Sequence, residues 1–259
     1  TGGGGVKTDA RGNLHDTNGR FAGKPRGDDS DLDSPATDSL SLAHDRLAIL
    51  LWRTAKVEVP ALTLPDTEEI LKGMTPKTDK EIEDFSVVVN LKRAWQYLFE
   101  HATDWLDWQY VSEYNRLLGQ GIVENAGGLR TVGVHVGDYR PPLPRLDTVA
   151  GQIAAALSEH EPVRKAIRIY GTIARGQWFH DGNKRTAAMA ANHSLIHDDA
   201  GLFALPPDRM GEYSRQLIDY YHSGDLRPFA EWLEYHAIID PTTGLTQAQE
   251  MGDDPVNRS

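Results

Sequence analysis

Along most of the chain, apolar residues recur every three or four positions; along one short stretch they recur every second position. In DKEIEDFSVVVNLKRAWQYLFEHA, residues 79–102, Ile82, Phe85, Val88 or Val89, Ala94 or Trp95, and Leu98 keep the helical period. The same period runs through SLSLAHDRLAILLWRTA, TEEILKGM, DWLDWQYVSEYNRLLGQG, LDTVAGQIAAALSEH, EPVRKAIRIYGTIARG, PDRMGEYSRQLIDYYHSG and LRPFAEWLEYHAII. A period near 3.6 commits these segments to helices that bury one face. In TVGVHV the alternation at Val132, Val134 and Val136, broken at Gly137-Asp138, predicts one short strand or hairpin. The expected fold class is therefore all-α with a lone hairpin. A single hairpin among helices builds little core and suits gripping a ligand or a peptide.

Composition narrows the function. The chain has 259 residues, 39% hydrophobic and 25% charged, enough for one large domain or two small ones. No run reaches the roughly 18 uninterrupted apolar residues of a membrane span. The formal net charge of -11 argues against a general nucleic-acid binder, leaving no nucleic acid and no membrane among the expected partners. Without cysteine there are no disulfides and no thiolate metal sites. Residues 1–38, rich in Gly, Asp, Ser and Pro, are expected to be a disordered arm. Residues 39–82 read as a helical lead-in, 83–238 as the main domain and 239–259 as a tail. The first residues hold no apolar signal segment, so a cytoplasmic, bacterial-type location is expected.

The stretch ARGQWFHDGNKRTA, Ala174 to Ala187, carries the chemistry. One helix ends near Gly176, and the turn Asp181-Gly182-Asn183 opens another near Lys184. Gly182 permits a positive φ or a close approach. The first N–H groups of the new helix lack internal acceptors and, with the helix dipole, make an anion site. Lys184 and Arg185 add charge at its mouth, and the arginine fork suits phosphate oxygens. Asp181 would repel phosphate unless it held a divalent cation such as Mg2+, which binds one or two carboxylates plus substrate phosphates. The bland alternative is a surface turn capping a helix.

In order, Phe179, Asp181, Gly182, Asn183, Lys184 and Arg185 resemble the Fic/Doc (Fido) signature H-x-F-x-[DE]-[GA]-N-[GK]-R. The likeness extends to NLKRAWQYLFEHA, to AGGLRTVGVHVGDYRPPLPRLD as a glycine-arginine stretch followed by a β-hairpin flap, and to the closing helices, over roughly residues 62–236. It implies a Fic-type helical bundle that transfers AMP, or another phosphate-containing group, from ATP with Mg2+ to a hydroxyl of a target protein. By the resemblance, Asp181 holds the metal, Gly182, Asn183 and Lys184 shape the anion hole, Arg185 grips donor phosphates, and Phe179 packs beneath the loop. The flap, including Thr131, Val132, Gly133, Val134 and His135, positions the target backbone.

Two departures matter. Where the signature has its general-base histidine, this chain has Gln177. A carboxamide hydrogen-bonds a hydroxyl but does not accept its proton, and loss of a general base costs about 10²–10⁴-fold. His180 is the other imidazole inside the motif and a candidate substitute. The second departure is Ala188, where many relatives carry a further arginine. Two functions stand side by side: an attenuated or redirected transferase, and a catalytically silent module that binds a nucleotide or a protein. Family members are often restrained by a helix bearing [ST]-x-x-x-E-[GN]. TAKVEV (Thr54–Val59) and TQAQEM (Thr246–Met251) match it in part, and an antitoxin-like inhibitory partner is the other source of restraint. His193 and His197, one helical turn apart, are more simply a core or surface pair than metal ligands. Oligomeric state is not encoded in any motif.

Overall fold

A computed structural model describes residues 38–253, together with two short strands near the N-terminus. Those strands, β1 (Lys7–Thr8) and β2 (Leu14–His15), pair antiparallel. They form part of a separate unit, and the remainder of the arm expected over residues 1–38 lies outside the described residues.

The larger unit is helical. Its elements are α1 (Ser39–Asp45), α2 (Leu47–Ala55), α3 (Leu64–Leu71), α4 (Asp79–Glu100), α5 (Trp108–Leu118), α6 (Leu146–Leu157), α7 (Pro162–Gly176), α8 (Asn183–His197), α9 (Met210–Ser223), α10 (Arg227–Ala237) and α11 (Gln247–Glu250). Local chemistry sets their starts. Thr63 and Asp66 form a reciprocal capping box at α3, Thr78 caps α4, and Asp107 accepts from Gln109 and Tyr110 at α5. Glu161 caps α7, with Pro162 in its first turn. Among the described residues, no helix is long and apolar enough to cross a membrane.

The centre of the unit is α8. From Arg185 to Ile196 every residue is buried, so this helix shows no amphipathic stripe. Ala187, Ala188, Ala190 and Ala191 keep its surface low, and α7 and α5 pack closely on it with α4, α2 and α1. On α7, Gly171 serves the same purpose: a Cβ there would sit 2.8 Å from Leu226. The strands β3 (Leu202–Phe203) and β4 (Ile238–Ile239) pair antiparallel, and buried Asn192 of α8 holds β3 by bonding both the N–H and the C=O of Phe203. His193 is wholly buried. Its Nδ1 accepts from Tyr114 and its Nε2 donates to the Asp104 carbonyl at 3.0 Å, so neither ring nitrogen is left to bind a metal. His197 stacks against exposed Trp105 and bonds Asp198.

The expected hairpin is smaller than its alternation predicts. Val134 and Val136 are half-buried while their neighbours are exposed, so the period of two survives as orientation. It does not become a ladder. One bridge forms, between Val136 and Tyr139, across Gly137 and Asp138. The returning arm holds Pro141, Pro142 and Pro144, which have no N–H to donate, and Gly133 weakens the outgoing arm. The segment after Ile239 turns back through Asp240 and Leu245 into α11, where Ala248 is buried.

Candidate functional site

The motif begins with an unusual helix end. Gln177 terminates α7 in the left-handed region, at φ 46 and ψ 51. Glycine is the residue normally favoured there, and a side chain costs about 1–2 kcal/mol. The conformation aims the carboxamide into the loop, where all its polar atoms are engaged. Nε2 donates to the Ala174 carbonyl (2.7 Å) and to the Tyr221 hydroxyl (3.2 Å), and Oε1 accepts from Asn183 Nδ2 (3.3 Å). Burial pushes the Tyr221 phenol well above its ordinary range, partly offset by the bond from Gln177, so this hydroxyl stays protonated and is no base.

The loop itself is tied from inside and from beneath. Asn183 accepts from the Phe179 N–H and donates to the Phe179 carbonyl, both at 3.0 Å, which closes the turn on its own side chain. Phe179 is buried and stacks on Trp108 with ring centres 5.7 Å apart. Asn115, on α5, donates to the Asp181 carbonyl (2.9 Å) and to Thr186 (3.1 Å), and accepts from the Gly127 N–H (2.8 Å). Gly182 precedes the helix at φ 76, a conformation natural to glycine; a Cβ there would lie 3.4 Å from Asn115 Nδ2.

These ties leave an anion site. The first helical bond of α8 runs from Thr186 N–H to the Gly182 carbonyl, so the N–H groups of Asn183, Lys184 and Arg185 have no intrahelical acceptor. No side chain caps them. Asn183 and Lys184 border a cavity of about 310 Å³ walled also by Gln177, His180, Asp181, Glu58 and α9 residues including Leu217, Ile218 and Tyr221. Arg185 is 3% exposed, yet among the described residues its Nε and Nη1 have no hydrogen-bond partner. Its nearest acids are Asp181, bonded to Nη2 at 3.4 Å, and Glu58, 3.7 Å from Nε. A buried guanidinium with unspent donors at a helix N-terminus is arranged for an external anion. A second cavity, about 640 Å³, adjoins the far side of Arg185, Asp181 and Glu58.

Most of the sequence-predicted site comes together. Gln177, His180, Asp181, Gly182, Asn183 and Lys184 border one cavity, with Arg185 behind it. The side chain of Asn183 works inside the loop, so its offering to a ligand is its backbone N–H. His180 is exposed on the rim. Thr131, Val132, Gly133, Val134 and His135 do not line the cavity; Val136 of the flap does. Of the two partial [ST]-x-x-x-E matches, the first reaches the site: Glu58 follows α2 and faces Arg185. In the second, Glu250 bonds Thr243 instead. Asp181, half-exposed, is fit to serve as a single carboxylate for a cation that also takes phosphate oxygens. Among the described residues, no group of three acidic, His or Cys side chains forms a metal site by itself.

Asn115, Arg130 and Tyr221 were not legible as site residues. They lie 44 or more positions from the residues they hold in the motif loop; Asn115 and Tyr221 belong to no local pattern, and the glycine-arginine stretch that contains Arg130 does not say what its side chain holds. Arg130, for instance, bonds the carbonyl of Gln177 at 2.6 Å.

Comparison with known proteins agrees with this geometry. Residues 105–195 match the family model of the Fic/DOC family. Protein adenylyltransferase fic-1 of Caenorhabditis briggsae is 26% identical over 201 residues, covering 73% of this chain and 39% of the relative. Its counterpart from Caenorhabditis elegans is 25% identical over the same length. The chain thus spans about two fifths of the curated relatives it matches. Among solved structures, Fic-1 from C. elegans superposes with a TM-score of 0.66 at 21% identity, covering 82% of this chain and 66% of that one. A Fic domain containing signaling protein from Bacteroides thetaiotaomicron gives 0.60 at 17% identity, covering 73% of this chain and 76% of its own. The motif order, the helical fold and the matched segment agree: residues 105–195 are similar to the Fic/DOC family, and the chain shares the helical fold of solved Fic proteins.

Proposed function

We propose that this protein is a Fic-type transferase that moves AMP from ATP to a hydroxyl of a target protein, slowly, because Gln177 stands where a base is expected. One observation carries the reading: Arg185 is buried with two unspent donors beside the free N–H groups at the start of α8. Buried guanidinium donors left without a hydrogen bond are costly, even beside two carboxylates, unless a ligand supplies the acceptor. The C. briggsae and C. elegans relatives bear the name protein adenylyltransferase, which favours AMP over other phosphate-containing groups.

In this reading the amides of Asn183, Lys184 and Arg185, with the Arg185 guanidinium, hold the donor phosphates. The apolar side of the cavity, Val136, Leu217 and Ile218, takes the nucleoside. Asp181 would hold Mg2+, which neutralises phosphate charge when bound. The target hydroxyl oxygen bonds to the α-phosphorus, the bond to the pyrophosphate oxygen breaks, and the hydroxyl proton leaves to water. Gln177 can accept a hydrogen bond from that hydroxyl but cannot take the proton. Transfer of this kind relies on positioning and charge stabilisation, so it is slowed rather than abolished. His180, on the rim, is the candidate alternative acceptor. The exposed backbone of Thr131–His135 would receive the target as an added strand. A cytoplasmic location, where ATP is abundant, fits ATP as the donor.

Glu58 supports a second layer. A carboxylate 3.7 Å from Arg185 competes with a phosphate for the same cation, so Glu58 is a source of restraint within the chain, beside which an antitoxin-like partner would be a second. The full engagement of Gln177 favours one rival reading, a silent nucleotide-binding regulator.

Labelling of lysate proteins with α-labelled and, separately, γ-labelled ATP plus Mg2+ decides between them. The chain as it stands, Gln177→His and Arg185→Ala are compared. Weak α-label that rises with Gln177→His and vanishes with Arg185→Ala is expected. ATP binding by calorimetry without label from any variant would establish the silent regulator. No ATP binding at all would overturn both.

A further inference from the structure

We infer that Arg130 is a positioning residue that fixes the flap and the residue-177 backbone as one piece. The residue is 2% exposed and, among the described residues, forms no ion pair with a carboxylate. Instead it spends its donors on four backbone carbonyls: Gln177 (2.6 Å), Val132 (2.7 Å), Pro141 (3.2 Å) and Pro142 (2.6 Å). Val132 lies on the outgoing arm of the flap and Pro141-Pro142 on the returning arm. The fourth carbonyl belongs to the left-handed residue that ends α7. One side chain therefore closes the neck of the flap and pins that neck to the catalytic turn. The Arg130 N–H extends the junction by donating to the Trp178 carbonyl at 2.9 Å.

The flap has little else to define its shape. Its arms share one bridge, and three prolines withhold donors from the return. Tyr139 adds a side-chain tie, stacking on Tyr221, which in turn bonds Gln177. Two routes thus run from the flap to residue 177: Arg130 to its backbone and Tyr139–Tyr221 to its side chain. A fork of five N–H groups can gather four carbonyls at fixed angles; a lysine ammonium has three donors on a flexible stem and cannot reproduce that geometry. The catalytic consequence rests on the transferase reading: a target strand laid on the flap reaches the phosphate only if neck and turn move together.

The test compares the full chain with Arg130→Lys and Arg130→Met, by amide hydrogen exchange and ATP titration, and by lysate labelling in the Gln177→His background. Amides of Val136, Tyr139 and Gln177 should exchange about tenfold faster or more in Arg130→Met, and by a smaller factor in Arg130→Lys. Amides in the middle of α8 should not change. ATP affinity should stay within about twofold while target labelling falls about tenfold, a loss of positioning and not of donor binding. Unchanged exchange at Val136 and Tyr139 overturns the proposal. Parallel loss of ATP affinity and labelling overturns it too, by making Arg130 part of the cradle. Should Arg130→Met fail to fold, Arg130→Lys carries the same measurements. If the parent chain binds no ATP, the transferase reading fails while the exchange data still decide whether Arg130 joins flap and turn.

Discussion

The cradle and the flap are built on opposite plans. Between Gln177 and Arg185, the carboxamides of Gln177 and Asn183 and the carbonyls of Phe179 and Asp181 have partners inside the protein, while the first amides of α8 and two guanidinium nitrogens of Arg185 are left for an anion. Between Thr131 and Arg140, one bridge, the Arg130 clamp and the side chain of Tyr139 define the path, and residues 131–135 are exposed or half-buried without a backbone ladder. A phosphate group is small and fixed in shape, so a rigid cradle avoids reorganisation when it binds. A target segment brings its own backbone donors and acceptors, so a stretch without a ladder suits it.

The largest predicted effect tests the rigid side. Asn115→Ala removes three hydrogen bonds, one buried and two partly buried, and strands the Gly127 N–H and the Asp181 carbonyl. Each stranded group costs about 1–3 kcal/mol. A drop of that size or larger in urea-denaturation stability is expected, with weakened ATP binding. Stability and binding both unchanged would mean that the loop is not held from α5.

Next in size is Glu58→Ala. Removing this carboxylate frees Arg185 of a competitor, and ATP affinity should rise on the order of tenfold, about 1.4 kcal/mol. The ion pair is partly open to solvent, which keeps the effect below that of a fully buried pair. Lower or equal affinity in calorimetry would remove Glu58 from any restraining role.

Both residues bear on what a sequence can reveal. Glu58 was legible because its pattern is local: a threonine four residues before a glutamate, at the end of a helix. TQAQEM has the same pattern and points elsewhere, so spacing could propose the contact but not choose it. The cradle was legible for a related reason, since its acid, glycine, amide and cations lie within five consecutive residues and a helix start turns that run into a site. Helices were legible from their period, with α8 the exception because burial on all sides erases the stripe. Asn115 and Arg130 were not, as each acts across the fold on backbone atoms that carry no side-chain signature. The hairpin was overdrawn because alternation records which way side chains face, and the prolines that deny pairing lie on the other arm.

A smaller effect concerns the helix under the cradle. Burial lowers the proton affinity of His193, whose Nδ1 accepts from Tyr114 and whose Nε2–H donates to the Asp104 carbonyl. The folded chain thus binds this proton less readily than the unfolded chain, where histidine titrates near ~6.5. Below about pH 6.5 the unfolded state takes up more protons, and stability falls until the folded value is also passed. Above that window His193 contributes no slope. His236 is shifted in the same direction, mainly by burial, so the variant His193→Gln should flatten the decline in urea midpoint between pH 7 and 5 only in part. A curve identical to the parent's would mean that His193 does not contribute to it.

The smallest effect belongs to the flap, and it is the sharpest check on the contrast. Val132 is 56% exposed, and among the described residues its one hydrogen bond is the carbonyl that meets Arg130, which any residue retains. Val132→Thr keeps the branched shape and removes apolar surface. Folding stability should change by less than about 0.5 kcal/mol, because nothing buried is lost. ATP affinity should also hold, since Val132 does not border the cavity. Labelling of a target in the Gln177→His background should nonetheless shift, by a few-fold, because an exposed side chain on a stretch without a ladder is what an added strand would touch. Equal labelling would place target contact elsewhere on the molecule. A stability loss comparable to that of Asn115→Ala would show that the flap is held as tightly as the cradle, and the contrast between the two regions would collapse.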